Sequence, residues 1–457
     1  VNHLNNRNVL VMGLGLFGGG VGAVRFLCES GANVTVTDLR SEEELQESIL
    51  ALEGCSVSYV LGRHDASDFA DADLVVANPG VPRTSKFLGI AESEGIPVTT
   101  EICLFVERCQ APIIGITGSS GKTTTTALLV AMLEKGTRKV YSGGNIGGSL
   151  LSELESISTD SLVVLELSSF QLDRLGDLNW SPYLAVVTNF TPNHLDVHGS
   201  LEAYRTAKKQ IVLNQNPDDI TILNEDDPEV REWGKGNAFR FSTEGPVLRG
   251  TYASSGRIIH NLSGTTVELC ETDSLNLPGK HNLQNALAAT CAALSLGVPN
   301  ACIRPVLEKF EGVEHRLEFV SEVGGVRFLN DSIATSPERT LVALRSVSGR
   351  IILIAGGYDK GLAFDQLGID IGERVSHLVL IGATAGAIAA AVPCDKPTTI
   401  HCADSLEGAV EISEAVAREG DTVLFSPASA SYDMFRNFVD RGVRFKELVS
   451  NIGPKDG

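Results

Sequence analysis

The sequence predicts an α/β protein in three domains, each built on a parallel sheet covered by helices. Three observations lead there. Short β-branched runs alternate with helical patterns along almost the whole chain, as strand-helix-strand crossovers require. Two glycine-rich turns, at 13–18 and 118–121, each follow an apolar run and open a helical segment. The length, 457 residues, suggests about three domains at roughly 100–200 residues each. Boundaries near 109 and 313 give domains 1–109, 110–313 and 314–457.

The first domain starts with the strand NVLVMG at 8–13, then the glycine turn and a helix to about Ser30. VTVTD, a helix over the acidic 41–52 segment, DLVVANPG and IPVTT complete it. A second series runs through PIIGIT, LVVLELSS, LAVVTNF and ITILN. Between 238 and 276 short polar runs alternate with Gly and Ser turns, which predicts a local antiparallel patch. The third series is VRFLND, RIILIAGG, HLVLIGAT and DTVLFSPA, each with a helix behind it. There is no low-complexity segment and no short-period repeat.

Composition excludes several classes. A net charge of -20 argues against a nucleic-acid partner, while local loops and magnesium can still hold small anions. The nine cysteines are scattered and form no C-x-x-C pair, which predicts reduced thiols rather than a disulfide frame or zinc site. The first apolar run is too short for a signal peptide and no stretch approaches a membrane span, so a soluble, cytoplasmic protein without membrane insertion is expected.

The stretch 115-GITGSSGKTTTT-126 resembles a phosphate loop but departs from G-x-x-x-x-G-K-[ST], because Ile116 stands where the first glycine belongs. Gly118, Ser119, Ser120 and Gly121 still lie between a strand and a helix, so backbone N–H groups can face an anion at the helix start. Lys122 could reach the β- and γ-phosphates of ATP, and the Thr123 hydroxyl could hold magnesium. A glycine and serine turn with a polar helix cap is the plainer alternative.

Gly13-x-Gly15-x-x-Gly18 with Asp38 ending the next strand matches the dinucleotide fingerprint, the mark of a Rossmann-like domain. That reading would suggest NAD and an oxidoreductase. The turn itself selects only a diphosphate at a helix start, so a nucleotide diphosphate sugar fits equally well, and an unliganded turn is the third reading.

In the central domain Glu166 ends the run 162-LVVLE-166, followed by Ser168 and Ser169. A carboxylate at a strand's carboxyl end beside a phosphate loop is placed to coordinate magnesium. His194, Asp196 and His198 in NHLDVH have the spacing of a transition-metal site or of a structural hydrogen bond. Lys208 and Lys209 sit on a helical pattern, where a solvated cationic face is the default.

Taken together, 13-GLGLFG-18, 78-NPGV-81, 115-GITGSSGKTT-124, 143-GGNIG-147, 165-LELSSFQL-172, 193-NHLD-196, 204-YRTAK-208, 281-HNLQNA-286, 315-HR-316, 330-NDS-332, 356-GGYDKG-361 and 426-SPASASYDMF-435 resemble the Mur ligases of bacterial cell-wall synthesis, nearly end to end. The shared T-G-x-x-G-K-T loop of those enzymes accounts for Ile116. The resemblance implies a Rossmann-like N-terminal domain, a P-loop ATPase-like central domain and a Rossmann-like C-terminal domain. It also implies a monomer that joins UDP-N-acetylmuramoyl-L-alanine to D-glutamate with ATP, through an acyl phosphate.

Carried over residue by residue, Lys122 stabilises the transferring phosphoryl group, and Gly118 to Thr124 cradle ATP, Thr124 included. Thr123 and Glu166 hold one magnesium ion, and His194 with a carbamylated Lys208 helps hold a second. Such a lysine must be partly desolvated, because only the neutral amine captures carbon dioxide. Asn282 and Asn285 serve adenine, and Arg316 and Asp331 reach the phosphates and ribose when the third domain closes about a hinge at 312–315. Leu16, Phe17, Asp38, Leu39, Arg40, Asn78 and Gly80 align with the uridine diphosphate contacts, Asn145 with the substrate and nucleotide phosphates, and Ser168 lies beside the substrate.

For glutamate, the matching positions are Thr335, Lys360, Ser431 and Phe438. This chain departs from the family at Ile333, where many members carry lysine, and that removes a cation near the glutamate pocket. Phe17 and Leu39 also replace hydroxyl residues. A ligase for L-glutamate or another amino acid is the rival within the class, and a catalytically silent ATP binder the rival outside it.

Overall fold

The computed structural model describes residues 4–452 except Leu16, Phe17, Ile146, Gly147, His194, Lys235, Pro278 and Lys360, and leaves the side chains of Leu195, Asp196 and Glu338 undescribed. It divides into two compact units, 1–310 and 311–457.

In the first unit, β1 (Asn8–Met12), β2 (Asn33–Asp38), β3 (Val57–Leu61), β4 (Leu74–Ala77) and β5 (Val98–Thr99) form a sheet in the order β3-β2-β1-β4-β5, parallel throughout. Burial on both faces explains the unbroken apolar run of β1. The strand order reverses at β1 and β4, so the loop starts after both strands, 13–15 and 78–80, line the crevice where such sheets bind ligands. The acidic 41–52 segment is less helical than expected. Ser41 and Glu44 cap each other through backbone N–H groups, and only Gln46–Leu50 forms α-helix.

The central sheet holds β6 (Ile113–Thr117), β7 (Val140–Gly144), β8 (Leu162–Glu166), β9 (Leu184–Val187), β10 (Ile220–Asn224), β11 (Ala238–Ser242), β12 (Arg249–Ser254), β13 (Arg257–Leu262) and β14 (Thr265–Glu271). Its order is β14-β13-β12-β11-β10-β9-β6-β8-β7. The expected antiparallel patch starts later than 238, because β11 pairs parallel with both β10 and β12. Only β12–β13 and β13–β14 are antiparallel. The cause is turn chemistry: Ser255–Gly256 and Ser263–Gly264 are two-residue turns with φ positive at both positions, the kind that closes a hairpin. One continuous core joins the first sheet to one face of the central sheet. The other face packs on the helices Lys122–Leu133, Lys280–Ser295 and Asn300–Lys309.

The second unit holds β15 (Glu318–Val323), β16 (Val326–Asn330), β17 (Ile351–Gly356), β18 (Val375–Ile381), β19 (Thr399–Cys402) and β20 (Thr422–Phe425), in the order β15-β16-β20-β17-β18-β19. All pairs are parallel except the β15–β16 hairpin. β15 escaped the sequence reading because EFVSEV is half-buried and polar along its length. Adjacency of β16, β20 and β17 gathers the segments after Asn330, Phe425 and Gly356 at one end of the sheet.

Candidate active site

The phosphate loop joins β6 to the helix Lys122–Leu133. Ile116 is a fully buried strand residue paired with Glu166 and Val186, so the turn begins two residues later, at Gly118. There a Cβ would lie 1.8 Å from Thr188 Oγ1, and at Gly121 (φ +79) it would lie 2.3 Å from Asn285 Oδ1. Both are too close for any side chain, so the loop packs against the end of β9 and the start of the helix Lys280–Ser295. Thr188 Oγ1 donates to the Ser120 carbonyl at 2.6 Å, and Asn189 Oδ1 accepts from Ser120 N–H at 2.9 Å. Ser119 Oγ donates to the Thr191 carbonyl at 2.9 Å and lies 3.0 Å from the Tyr204 hydroxyl. These shaping residues, Thr188 and Asn189 above all, were not signalled by any motif. Thr123 is buried and Thr124 half-buried at the helix start.

Two lysine side chains meet at one carbonyl. Lys122 Nζ donates to Gly118 O at 3.0 Å and Lys208 Nζ to the same oxygen at 2.8 Å. Lys208 is 2 % exposed and stands 5.0 Å above the Tyr204 ring. The solvated face that the helical pattern alone suggests is not what Lys208 occupies; it is desolvated, as the resemblance implies. In the helix Leu201–Leu213, Lys208 lies on the buried side with Tyr204, Ala207, Ile211 and Val212. Burial first, then the Lys122 charge, holds its amine well below the ordinary lysine range, against the pull of Glu166.

Glu166, at the end of β8, is buried. Its Oε1 accepts from Asn145 Nδ2 at 2.9 Å, while its buried Oε2 has no hydrogen-bond partner. An orphaned carboxylate oxygen is uncommon in a protein interior, and a divalent cation held with the Thr123 hydroxyl would satisfy it. Among the described residues no group of three or more His, Cys, Asp or Glu could hold a metal. His194 and the Asp196 side chain lie outside the described residues. His198 Nε2 is 3.0 Å from Ser169 Oγ, with its ring stacked on Phe170, the structural alternative for that histidine. Ser168 caps the helix Ser169–Leu175 in a capping box with Gln171, which S-x-x-Q in LELSSFQL encodes.

At the first glycine turn Asp38 is buried. Its Oδ2 accepts from the N–H of Leu14 at 2.9 Å and of Gly15 at 3.4 Å, and its Oδ1 from Arg40 N–H at 3.0 Å. The carboxylate thus fixes the turn from behind. Leu39 and the Arg40 side chain are exposed nearby. Asn78 Oδ1 accepts from Gly80 N–H at 3.1 Å, which shapes the loop across the crevice. Leu16 and Phe17 lie outside the described residues. Asn285 is buried beside Gly121, with Thr125 Oγ1 donating to its Oδ1 at 3.4 Å, and Asn282 is half-buried one turn earlier.

In the second unit Asp331 is buried. Ser426 Oγ donates to its Oδ2 at 2.7 Å and Leu317 N–H to its Oδ1 at 3.2 Å. Burial raises its carboxyl to about 6, and Ser426 and the Arg316 charge oppose the rise. Ser332 Oγ donates to the carbonyl of Phe438, the first residue of the helix Phe438–Ser450, at 2.7 Å. Arg441, which the motifs did not single out, is wholly buried. It donates to the carbonyls of Ser332 and Ala430, each at 2.9 Å, and so ties the Asp331–Thr335 segment to that of Ser431. Its desolvation pulls the guanidinium down to about 9. Tyr358 N–H donates to the Ala430 carbonyl at 2.9 Å. Lys360 lies outside the described residues.

A phosphate loop backed by two lysines and a buried carboxylate defines a nucleotide-dependent phosphoryl-transfer protein of α/β class. Comparison with known proteins narrows this. Residues 7–100 match the Mur ligase MurD-like N-terminal domain, 116–293 the Mur ligase middle domain and 315–429 the Mur ligase glutamate ligase domain. The UDP-N-acetylmuramoylalanine--D-glutamate ligase of Roseiflexus sp. (strain RS-1) is 42% identical over 98% of this chain and 99% of its own. That of Acetivibrio thermocellus is 41% identical over 98% and 97%. Among solved structures, UDP-N-acetylmuramate-alanine ligase MurC from Thermotoga maritima superposes with a TM-score of 0.57 at 20% identity, over 97% of this chain and 99% of that one, a likeness of fold. The chain belongs to the Mur ligase family.

Proposed function

We propose that this chain joins D-glutamate to UDP-N-acetylmuramoyl-L-alanine, forming an amide at the expense of ATP. The observation that carries the reading is the convergence of Lys122 and Lys208 on the Gly118 carbonyl, beside the buried carboxylate of Glu166. The γ-phosphoryl group passes to a carboxylate oxygen of the alanyl substrate and ADP leaves. The glutamate nitrogen then attacks the acyl carbon, loses its proton, and the tetrahedral intermediate expels phosphate. Lys122 stabilises charge on the moving phosphoryl group. Thr123 and Glu166 would hold one magnesium ion, and His194 and Lys208 a second, and such ions would neutralise phosphate charge.

Lys208 suits carbamylation because its environment favours the neutral amine. The amine nitrogen bonds to carbon dioxide and releases a proton, so a cation becomes an anionic ligand. Asn145 holds Glu166 in place, Ser168 starts the helix beside the substrate, and the uridine diphosphate lies at 13–18, 38–40 and 78–80. Asn282 and Asn285 are assigned to adenine, Arg316 and Asp331 to phosphates and ribose, and Thr335, Lys360, Ser431 and Phe438 to glutamate. The enzyme acts as a cytoplasmic monomer. No helix among the described residues is long and apolar enough to cross a membrane.

The test is transfer of a heavy-oxygen label. Substrate labelled in the alanyl carboxylate should deliver the label to the released phosphate. Unlabelled phosphate alongside amide product would refute the acyl phosphate.

A further inference from the structure

The segment 224-NEDDPEVREW-233 begins at the last residue of β10, beside the phosphate loop. Asn224 is 2 % exposed. Its Nδ2 donates to the Thr188 carbonyl at 2.8 Å, and its Oδ1 accepts the Asp226 N–H at 3.0 Å. Asp227 Oδ2 accepts the Phe190 N–H at 2.7 Å, while its Oδ1 accepts those of Glu229 and Val230, each at 3.0 Å. Thr188 and Phe190 are thus held on either side of Asn189. That stretch shapes the phosphate loop: Thr188 and Asn189 bond Ser120, and the Asn189 carbonyl accepts the Ser119 N–H at 3.0 Å. The same segment grips the helix that carries Lys208, since Glu229 Oε1 accepts from Trp233 Nε1 at 3.0 Å and from Arg205 Nε at 2.9 Å. The Phe190 ring fills the space between, stacked on Tyr204 with centroids 5.3 Å apart and edge-on to Trp233 at 5.5 Å.

A turn that only satisfied the end of its own strand would need neither the bonds to 188 and 190 nor the bond to Arg205. We propose that Asn224 and Asp227 are positioning residues for phosphoryl transfer. Acting through the backbone of Thr188 and Phe190, they set Ser119 and Ser120, and so the phosphate loop, in register with Lys208. A displacement of ~1 Å in such a site costs on the order of a hundredfold in rate, so hydrogen bonds well behind the loop reach the chemistry. This inference rests on the ligase reading.

The experiment measures ligase kcat, KM for ATP and for UDP-N-acetylmuramoyl-L-alanine, and melting curves in the wild-type chain, Asn224→Asp, Asp227→Asn and Asn261→Asp. Each substitution keeps the side chain's shape. Asn224→Asp sets an oxygen against the Thr188 carbonyl, and Asp227→Asn turns an amide NH2 toward either the Phe190 N–H or those of Glu229 and Val230. Asn261 is the control: on β13, three strands from β10, it is 9 % exposed and its Nδ2 donates to the Val247 carbonyl at 2.8 Å. Its substitution loses the same kind of bond as Asn224→Asp, away from the phosphate loop. All three variants should melt below the wild type, because each leaves a buried polar group without its partner. Asn224→Asp and Asp227→Asn should also lose about ten- to hundredfold in kcat, with KM raised for ATP and unmoved for the uridine substrate. Asn261→Asp should keep wild-type kinetics. Wild-type kcat in both Asn224→Asp and Asp227→Asn, or an equal loss in Asn261→Asp, would overturn the positioning role. Wild-type protein without ligase turnover would instead overturn the reading on which that role rests.

Discussion

After Met12 and after Thr117 the chain makes the same local move, from a parallel strand through a glycine turn to a helix, yet the side chains behind the two turns differ in kind, a carboxylate at the first and two lysine amines at the second. Behind the first sits the Asp38 carboxylate, accepting the N–H groups of Leu14 and Gly15. Behind the second sit Lys122 and Lys208, both donating to the Gly118 carbonyl. The first turn is locked by an internal anion and suits a diphosphate that is only held. The second sets the Lys122 cation, which stabilises charge that moves, beside a buried lysine amine held below its ordinary range. Glycine spacing marks the helix start, and the residues behind the turn decide the chemistry.

The comparison can be broken at several points. The largest effect is expected at Lys208. Lys208→Ala should lower the ligase rate by about a thousandfold or more, the scale of losing a transition-state contact, and added acetate or formate should recover part of it. A full rate with or without such acids would remove the carbamate from the mechanism. Next is Gly121→Ala, whose new methyl meets Asn285 Oδ1 at 2.3 Å. It should raise KM for ATP at least about tenfold, given that it displaces the loop or the helix behind it, and leave the uridine substrate's KM alone.

Asp38→Ala should do the reverse. Leaving the Leu14 and Gly15 N–H groups without their acceptor costs about 1–3 kcal/mol of stability, and KM should rise for the uridine substrate and not for ATP. Equal rises for both would show that the two turns are not separate sites.

The smallest expected effect joins the two regions. Glu101 accepts from Ser149 Oγ at 2.5 Å, and Ser149 packs against Gly22 of the first turn's helix, a few residues beyond Asn145. Burial raises the Glu101 carboxyl from 4.5 to about 7, opposed by the Ser149 hydrogen bond. Because the folded chain binds this proton more tightly than the unfolded chain, stability should fall as pH rises from 4.5 to about 7 and then level off. Glu101→Gln should flatten that fall by roughly 1–3 kcal/mol, read from urea melts at several pH values. An unchanged slope would mean that Glu101 titrates as an ordinary carboxylate.

Much of this was legible in the sequence because it is local. The strand, turn and helix order around Lys122 and the Asp38 register both follow from spacing. What escaped depends on distant packing. By helical pattern alone Lys208 reads as a surface lysine, and only the family resemblance implied its desolvation, which the apolar side of Leu201–Leu213 supplies. Arg441 looks like a helix cation until the segments at 332 and 430 close over it. The parallel pairing of β11 was hidden because polar alternation looks the same in parallel and antiparallel partners, and only the two-residue turns tell them apart.

The most direct test of the central claim is phosphate release from ATP and magnesium with UDP-N-acetylmuramoyl-L-alanine, with D-glutamate and L-glutamate supplied in parallel. The account predicts turnover that depends on D-glutamate. Turnover with L-glutamate only, or with neither, would contradict it.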